Sequence, residues 1–130
     1  MDSNFLFLVV SRRLNIFSEI ENLIPGRVQF CIADLVRREL VQLSLKKSEV
    51  GRKAKFALRL ADKCDDVKIE SKDFENVDDA LVRFAAKNEV IVATSDKELR
   101  HRLRDINVPV IYVRGRSRVE LEGFPLNCNG

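Results

Sequence analysis

The stretch Val90-Ile91-Val92-Ala93-Thr94-Ser95-Asp96 decides how the chain is read. Its first four residues are short and apolar, two of them Val and one Ile, which describes a strand buried on both faces, as in a parallel sheet with helices on either side. The run then turns polar and gives way to a helix expected over residues 97–105. In open α/β sheets ligands collect at the carboxyl ends of strands, so Asp96 stands where an acid can hold a metal. The same position also suits an ordinary helix cap by Ser95 or Asp96. The other acids of the chain separate the two readings.

Working outward, Val108 and Pro109 lead to a last strand over residues 110–113, followed by a basic loop, Arg114-Gly115-Arg116-Ser117-Arg118, and an irregular tail over residues 123–130. Upstream lie a helix over residues 77–87, a loop over 71–76 and a short strand over 67–70. A helix over 48–64 precedes these, and before it comes one capped by Asp34 and running to about Lys46. Residues 28–33 read as a strand, and residues 16–24 as a helix capped by Asn15 and stopped by Pro25 and Gly26. Phe5 to Val10 is rich in β-formers but equally compatible with a buried helical turn. Alternating strands and helices imply a parallel sheet sandwiched by helices.

A length of 130 residues suits one domain with one core, and an apolar content of 45% excludes a disordered chain. No run approaches the roughly 20 apolar residues of a membrane span, and no signal peptide is visible, so a cytoplasmic protein without membrane contact is expected. Cys31, Cys64 and Cys128 are odd in number and widely spaced, as free thiols are, rather than disulfide or zinc ligands. The net charge of +3 says little, but its distribution says more. Seven basic residues fall between Lys46 and Lys63 and seven more between Lys97 and Arg118, while acids crowd the segment from Asp62 to Asp79. Basic stretches around a concentration of carboxylates suit a polyanion at the rim and metal ions at the centre; ordinary solvated helix faces are the plainer account.

The helix after Asp34 carries Leu35, Val36, Leu40 and Leu43 on one face, and Glu39 falls in the middle of it. A buried unpaired carboxylate is costly, so Glu39 should reach a metal, an arginine or a solvated cleft. In the helix over 77–87, Asp78 shares the apolar face with Val82 and Ala85, whereas Asp79 points away with Arg83. Asp2, Glu39, Asp78 and Asp96 together form a set of hard oxygen ligands suited to Mg²⁺ or Mn²⁺. The chemistry that needs such a set is phosphodiester hydrolysis. His101 is the only histidine, which excludes a two-histidine ribonuclease mechanism and leaves it a surface role.

At these residues the sequence resembles the PIN-domain family of metal-dependent ribonucleases. The motifs are Asp2-Ser3-Asn4, Glu39 within Val36-Arg37-Arg38-Glu39-Leu40, Asp78-Asp79-Ala80-Leu81-Val82, and Ile91-Val92-Ala93-Thr94-Ser95-Asp96-Lys97-Glu98-Leu99. The last, with Pro109-Val110-Ile111-Tyr112, looks most like the archaeal branch related to the endonuclease that trims small-subunit ribosomal RNA precursor. The resemblance implies a PIN-like three-layer α/β/α sandwich over residues 1–122. It implies Asp2, Glu39, Asp78 and Asp96 as catalytic metal-binding acids for Mg²⁺ or Mn²⁺, with Asn4, Ser95 and Asp79 in support. Charge placement, not the family, nominates Lys97, Arg100, Arg104, Arg114 and Arg116 for the RNA backbone. Family members carry an apolar strand just ahead of the opening aspartate. Here that first strand is expected to be missing, or replaced by Phe5 to Val10 or by a partner. The expected activity is endonucleolytic cleavage of RNA in ribosomal RNA maturation. The alternatives are the toxin of a toxin and antitoxin pair, or a non-catalytic RNA-binding or assembly module. The partners this admits, besides RNA, are a second copy in a homodimer, an antitoxin and a ribosome-assembly protein.

Overall fold

The structure is a computed structural model that describes residues 1–70 and 72–123. Apart from Gly123, the expected tail lies outside the described residues, as does Cys128. Asp2 caps the first helix, α1 (Ser3–Arg12), its side chain accepting from the Phe5 N–H. Phe5 to Val10 are therefore helical and are not the strand that the resemblance led one to expect there. Their β-forming composition is overridden because helical spacing buries Phe5, Leu6 and Val9 together, and because Asp2 satisfies a free N–H at the helix start. The helices α2 (Ile16–Leu23), α3 (Asp34–Ser44) and α4 (Glu49–Ala61) follow. Beyond them come α5 (Val77–Lys87) and α6 (Lys97–Asp105), within a residue or two of where caps and spacing place them. Asp34 does not cap α3; Ala33 occupies that position, and Asp34 Oδ1 instead accepts from the Leu35 and Ile69 N–H groups.

The strands are β1 (Cys31–Ala33), β2 (Asp65–Val67), β3 (Val92–Ala93), β4 (Val110–Arg114) and β5 (Arg118–Glu122). β1 pairs parallel with β2, and β3 parallel with β4, so the expected parallel sheet is present in two sections. Two corrections concern strands. The short strand expected over 67–70 lies earlier, at β2, where Asp65 and Asp66 sit on an exposed edge and bond Gln29 and Arg37. The arginine-rich loop is instead the tight turn of a hairpin, because Arg114 pairs with Arg118 and β5 returns antiparallel along β4. Gly115 takes φ 65° at that turn, a conformation that costs glycine little.

Successive strand residues feed opposite faces. Val92 and Val110 enter a core with Leu6, Ile32, Val36, Leu40 and Leu103, while Ala93 and Ile111 enter a second with Phe5, Val9, Ile16 and Ile20. Burial on both faces makes the three-layer α/β arrangement, with α1 reaching into both cores. Among the described residues no helix is long and apolar enough to cross a membrane. Cys31 and Cys64 are free, half-buried thiols.

The segment before α5 is clamped by Arg83, whose guanidinium donates to both Glu75 carboxylate oxygens, at 3.0 and 2.9 Å, and to the Glu70 carbonyl. Arg83 holds the Glu75 carboxyl down at about 2, well below its ordinary 4.5. A depressed folded value contributes stability above the unfolded pKa and loses it as pH falls through the folded one. The stability advantage of the wild type over Glu75→Gln, read from urea unfolding, should therefore be constant at neutral pH and shrink as pH drops from 4.5 toward 2. An advantage that stays flat over that window would refute the clamp.

Candidate active site

The site begins with Asp2. Its own N–H donates to the Ala93 carbonyl at 3.0 Å, which ties the start of α1 to the end of β3. Its carboxylate accepts from the Phe5 N–H at 2.8 Å and from the Thr94 hydroxyl. Thr94 is fully buried, and its Oγ1 also accepts from the Asp96 N–H at 3.1 Å. One hydroxyl thus fixes one acid directly and the backbone of a second.

Asp96 caps α6, its Oδ1 accepting from the Glu98 and Leu99 N–H groups at 2.9 and 3.3 Å. The cap reading of Asp96 holds, and the same residue opens onto the site. Glu39 lies on the exposed side of α3, where the Ser3 hydroxyl donates to it, so of its three possible fates it meets the solvated cleft. Asp78 sits half-buried in the first turn of α5. Asp2, Glu39, Asp78 and Asp96 all line one pocket of about 350 Å³, together with Ser3, Asn4 and Asn76. The pocket lies where β1 and β3 end and α3 and α6 begin, the position expected for an α/β ligand site.

The electrostatics are those of crowded like charges. Burial pushes the Asp2 carboxyl up, against the hydrogen bonds from Thr94 and Phe5, and the charge of Asp78 adds to the rise. Burial likewise raises Asp78, and the charges of Asp96, Glu39 and Asp79 push it further the same way against Arg102. Such a pocket favours a proton or a cation. The donors are all oxygen, which suits Mg²⁺ or Mn²⁺. Among the described residues, however, no three acids stand close enough to hold one ion as placed.

Other expected site residues fall elsewhere. Asp79 is outside the pocket as expected, but its partner is Arg102 of α6 at 2.9 Å and not Arg83, which Glu75 occupies. Ser95 is exposed and does not line the pocket. Of the basic residues nominated for RNA, Arg100 and Arg104 lie 3.8 and 3.9 Å from Glu122, and Arg114 pairs with Glu120 at 3.3 Å. Lys97 and Arg116 are exposed and form no ion pair among the described residues. Two contributors were missed. Asn76 caps α5 and lines the pocket, and its place one residue before an acidic first turn was the available signal. Thr94 was visible only as a polar strand end.

An acid-lined pocket at the carboxyl ends of parallel strands stands where layered α/β domains place their ligand sites. Residues 1–116 match the family described as PIN like domain, and the chain belongs to that family. It is 36% identical to Ribonuclease VapC4 of Methanocaldococcus jannaschii over 95% of each chain. It is 30% identical to Ribonuclease VapC9 of Archaeoglobus fulgidus, over 94% of this chain and 87% of that one. The human rRNA-processing protein FCF1 homolog is 28% identical over 96% of this chain, which spans 61% of its length. Among solved structures, the PIN domain endonuclease Utp24 superposes with a TM-score of 0.78 at 24% identity, over 95% of this chain and 90% of that one, and shares the fold.

Thr94→Val keeps the shape but removes the donor to Asp2 and the acceptor for Asp96. Stability at neutral pH should fall by about 1–3 kcal/mol in denaturant melts, the usual cost of stranding buried polar groups. That loss should shrink in acid, where a protonated Asp2 no longer needs the bond. A pH-independent loss would contradict the assigned role of the hydroxyl.

Proposed function

We propose that the chain is a metal-dependent endoribonuclease that uses Mg²⁺ or Mn²⁺. The observation that carries this reading is the convergence of Asp2, Glu39, Asp78 and Asp96 on one pocket. Asp78 and Asp96, with Asp2 and Glu39 directly or through water, would hold the ion. When bound, it supplies polarisation of the scissile phosphate and a lowered pKa for water. The chain's own groups do the positioning. Thr94 fixes Asp2, the α6 amides fix Asp96, and Ser3 orients Glu39. Asn4 and Asn76 offer amides to a phosphate or a water at the pocket wall. Of the nominated cations, Lys97 and Arg116 form no ion pair among the described residues and would meet the RNA backbone directly, while Arg100, Arg104 and Arg114 would first have to leave their carboxylates.

Ribosomal RNA precursor is the substrate by analogy with the rRNA-processing relatives. A second setting is favoured by one observation: the archaeal ribonuclease of 36% identity matches end to end, at 95% of each chain. That suits the small toxin nuclease of a toxin and antitoxin pair, with an antitoxin as partner. A cytoplasmic location is part of the same proposal.

Purified protein given single-stranded RNA and Mn²⁺ should cut internally, and a chelator should stop it. Asp78→Asn and Asp96→Asn should each lower the rate about a hundredfold or more. RNA that is bound but never cut would instead support the non-catalytic module, and cleavage untouched by chelator would overturn the metal reading. Growth arrest on expression, abolished by Asp78→Asn, would select the toxin setting over rRNA processing.

A further inference from the structure

The turn that leads into α5 carries Phe74, a large apolar side chain that is wholly exposed and joins neither core. The other exposed large apolar residues, Val41, Leu45, Val50, Phe56 and Ile106, belong to other elements of the chain. The backbone of Phe74 is unfavourable as well. The Glu75 N–H donates to the Lys72 carbonyl at 3.0 Å, which closes a four-residue turn, and Phe74 takes the third position with φ 64°. Asp73, at the second position, is not left-handed, so the φ pattern is that of a type II turn. Glycine is favoured at the third position of that turn, because a side chain is strained there. A bulky ring in a strained place, outside both cores, points to a use beyond the fold itself.

The turn is braced rather than loose. The Lys72 N–H donates back to Glu75 Oε1 at 3.0 Å, and that carboxylate is the one Arg83 clamps while also donating to the Glu70 carbonyl. Its place is the rim of the acid pocket. Asn76, two residues on, lines that pocket, as do Val77 and Asp78 after it. Two residues of backbone span at most about 7 Å, so the ring stands beside any strand whose phosphate sits among the acids. Size then decides what the ring can receive. A phenyl side chain offers roughly 150–250 Å². A stable protein interface takes about 800 Å² from each partner. The neighbours Lys72 and Asp73 are exposed and charged, unlike the apolar centre of such an interface. One ring face does match one nucleobase, and an unpaired base has its own face free.

We propose that Phe74 is a base-stacking residue, which receives an unpaired base of the RNA strand next to the phosphate seated at the acid pocket. The inference rests on RNA being the ligand, as in the function proposed above, and adds that the strand is single where it passes the turn. A duplex keeps its bases stacked on one another and offers no face to the ring. The braced turn fixes the ring before the strand arrives, so little ordering remains to be done on binding.

The chain has no tryptophan, so Phe74→Trp places a single fluorescent reporter at the turn. Binding of a single-stranded oligouridylate is measured with Mn²⁺ in an Asp78→Asn parent, where cutting is slow. Adding Phe74→Ala should weaken binding about tenfold or more. Phe74→Trp should restore it, with its emission quenched as the strand saturates, whereas an RNA duplex should leave the emission unchanged. Phe74→Gly, which suits the φ of the turn, should bind as weakly as Phe74→Ala and melt within a few degrees of the parent. Unchanged affinity in Phe74→Ala would overturn the proposal and mark the ring as a contact for another protein. A melting temperature much lowered by Phe74→Gly would overturn it by making the ring structural, and a parent that binds no single strand would end it outright. Cleavage is not read in these measurements. A strand that stacks on Phe74 but is never cut by the wild type would therefore refute the nuclease reading alone, and cutting by a wild type whose affinity ignores Phe74 would refute this inference alone.

Discussion

The carboxylate of Asp2 is the joint on which this structure turns. It caps α1, accepts the buried hydroxyl of Thr94, and through its own N–H holds the end of β3. With 7% of its surface exposed, it bears a charge that the protein interior disfavours. Two short hydrogen-bonding groups make that charge tolerable, and both are placed by secondary structure: an amide by the first turn of a helix, a hydroxyl by the end of a strand. Helix start, strand end and first acid of the pocket are thereby one arrangement.

The other acids follow from that anchor. Asp96 can face the pocket because its backbone is bonded to the hydroxyl that holds Asp2, and because its side chain is already busy capping α6. A cap and a ligand are compatible roles, since a carboxylate has more lone pairs than two amides use. Glu39 reaches the same space from α3, steadied by Ser3. The outcome is an excess of negative charge in one hollow, felt by Asp78 as repulsion from Asp96 and Glu39 within it and from Asp79 just outside. A fold that concentrates like charge at a strand end stores a standing affinity for cations. Arg102, whose charge offsets part of the repulsion on Asp78, is paired with Asp79 just outside the hollow.

Much of this was legible in the residues. Asn15, Ser48, Asn76 and Asp96 each precede a helical run, and the helices behind them form where spacing places them. The four acids drew attention by spacing, at a helix start, at a strand end or in phase with apolar residues of a helix, although Glu39 proves to lie on the exposed side of α3 and not on its buried face. What resisted reading depended on distant partners. Phe5 to Val10 fits both periods, and only the two cores that α1 serves decide for a helix. Asp65 and Asp66 disguise β2, because acids are depleted in strands unless, as here, an exposed edge and the Arg37 guanidinium accommodate them. The arginines around Gly115 look like a loose loop until β5 is seen to return and place Glu120 beside Arg114. Asp79 chooses Arg102 from another helix over Arg83 on its own, a choice no local pattern contains.

The central claim is that these four carboxylates act together as one cation-binding hollow. Anomalous diffraction from crystals soaked in Mn²⁺ addresses it most directly, because it locates the ion without reference to any activity. The account requires Mn²⁺ density inside the pocket bounded by Asp2, Glu39, Asp78 and Asp96, with at least two of these carboxylates drawn onto it. Mn²⁺ bound elsewhere on the protein, with the pocket left empty at saturating metal, would contradict it.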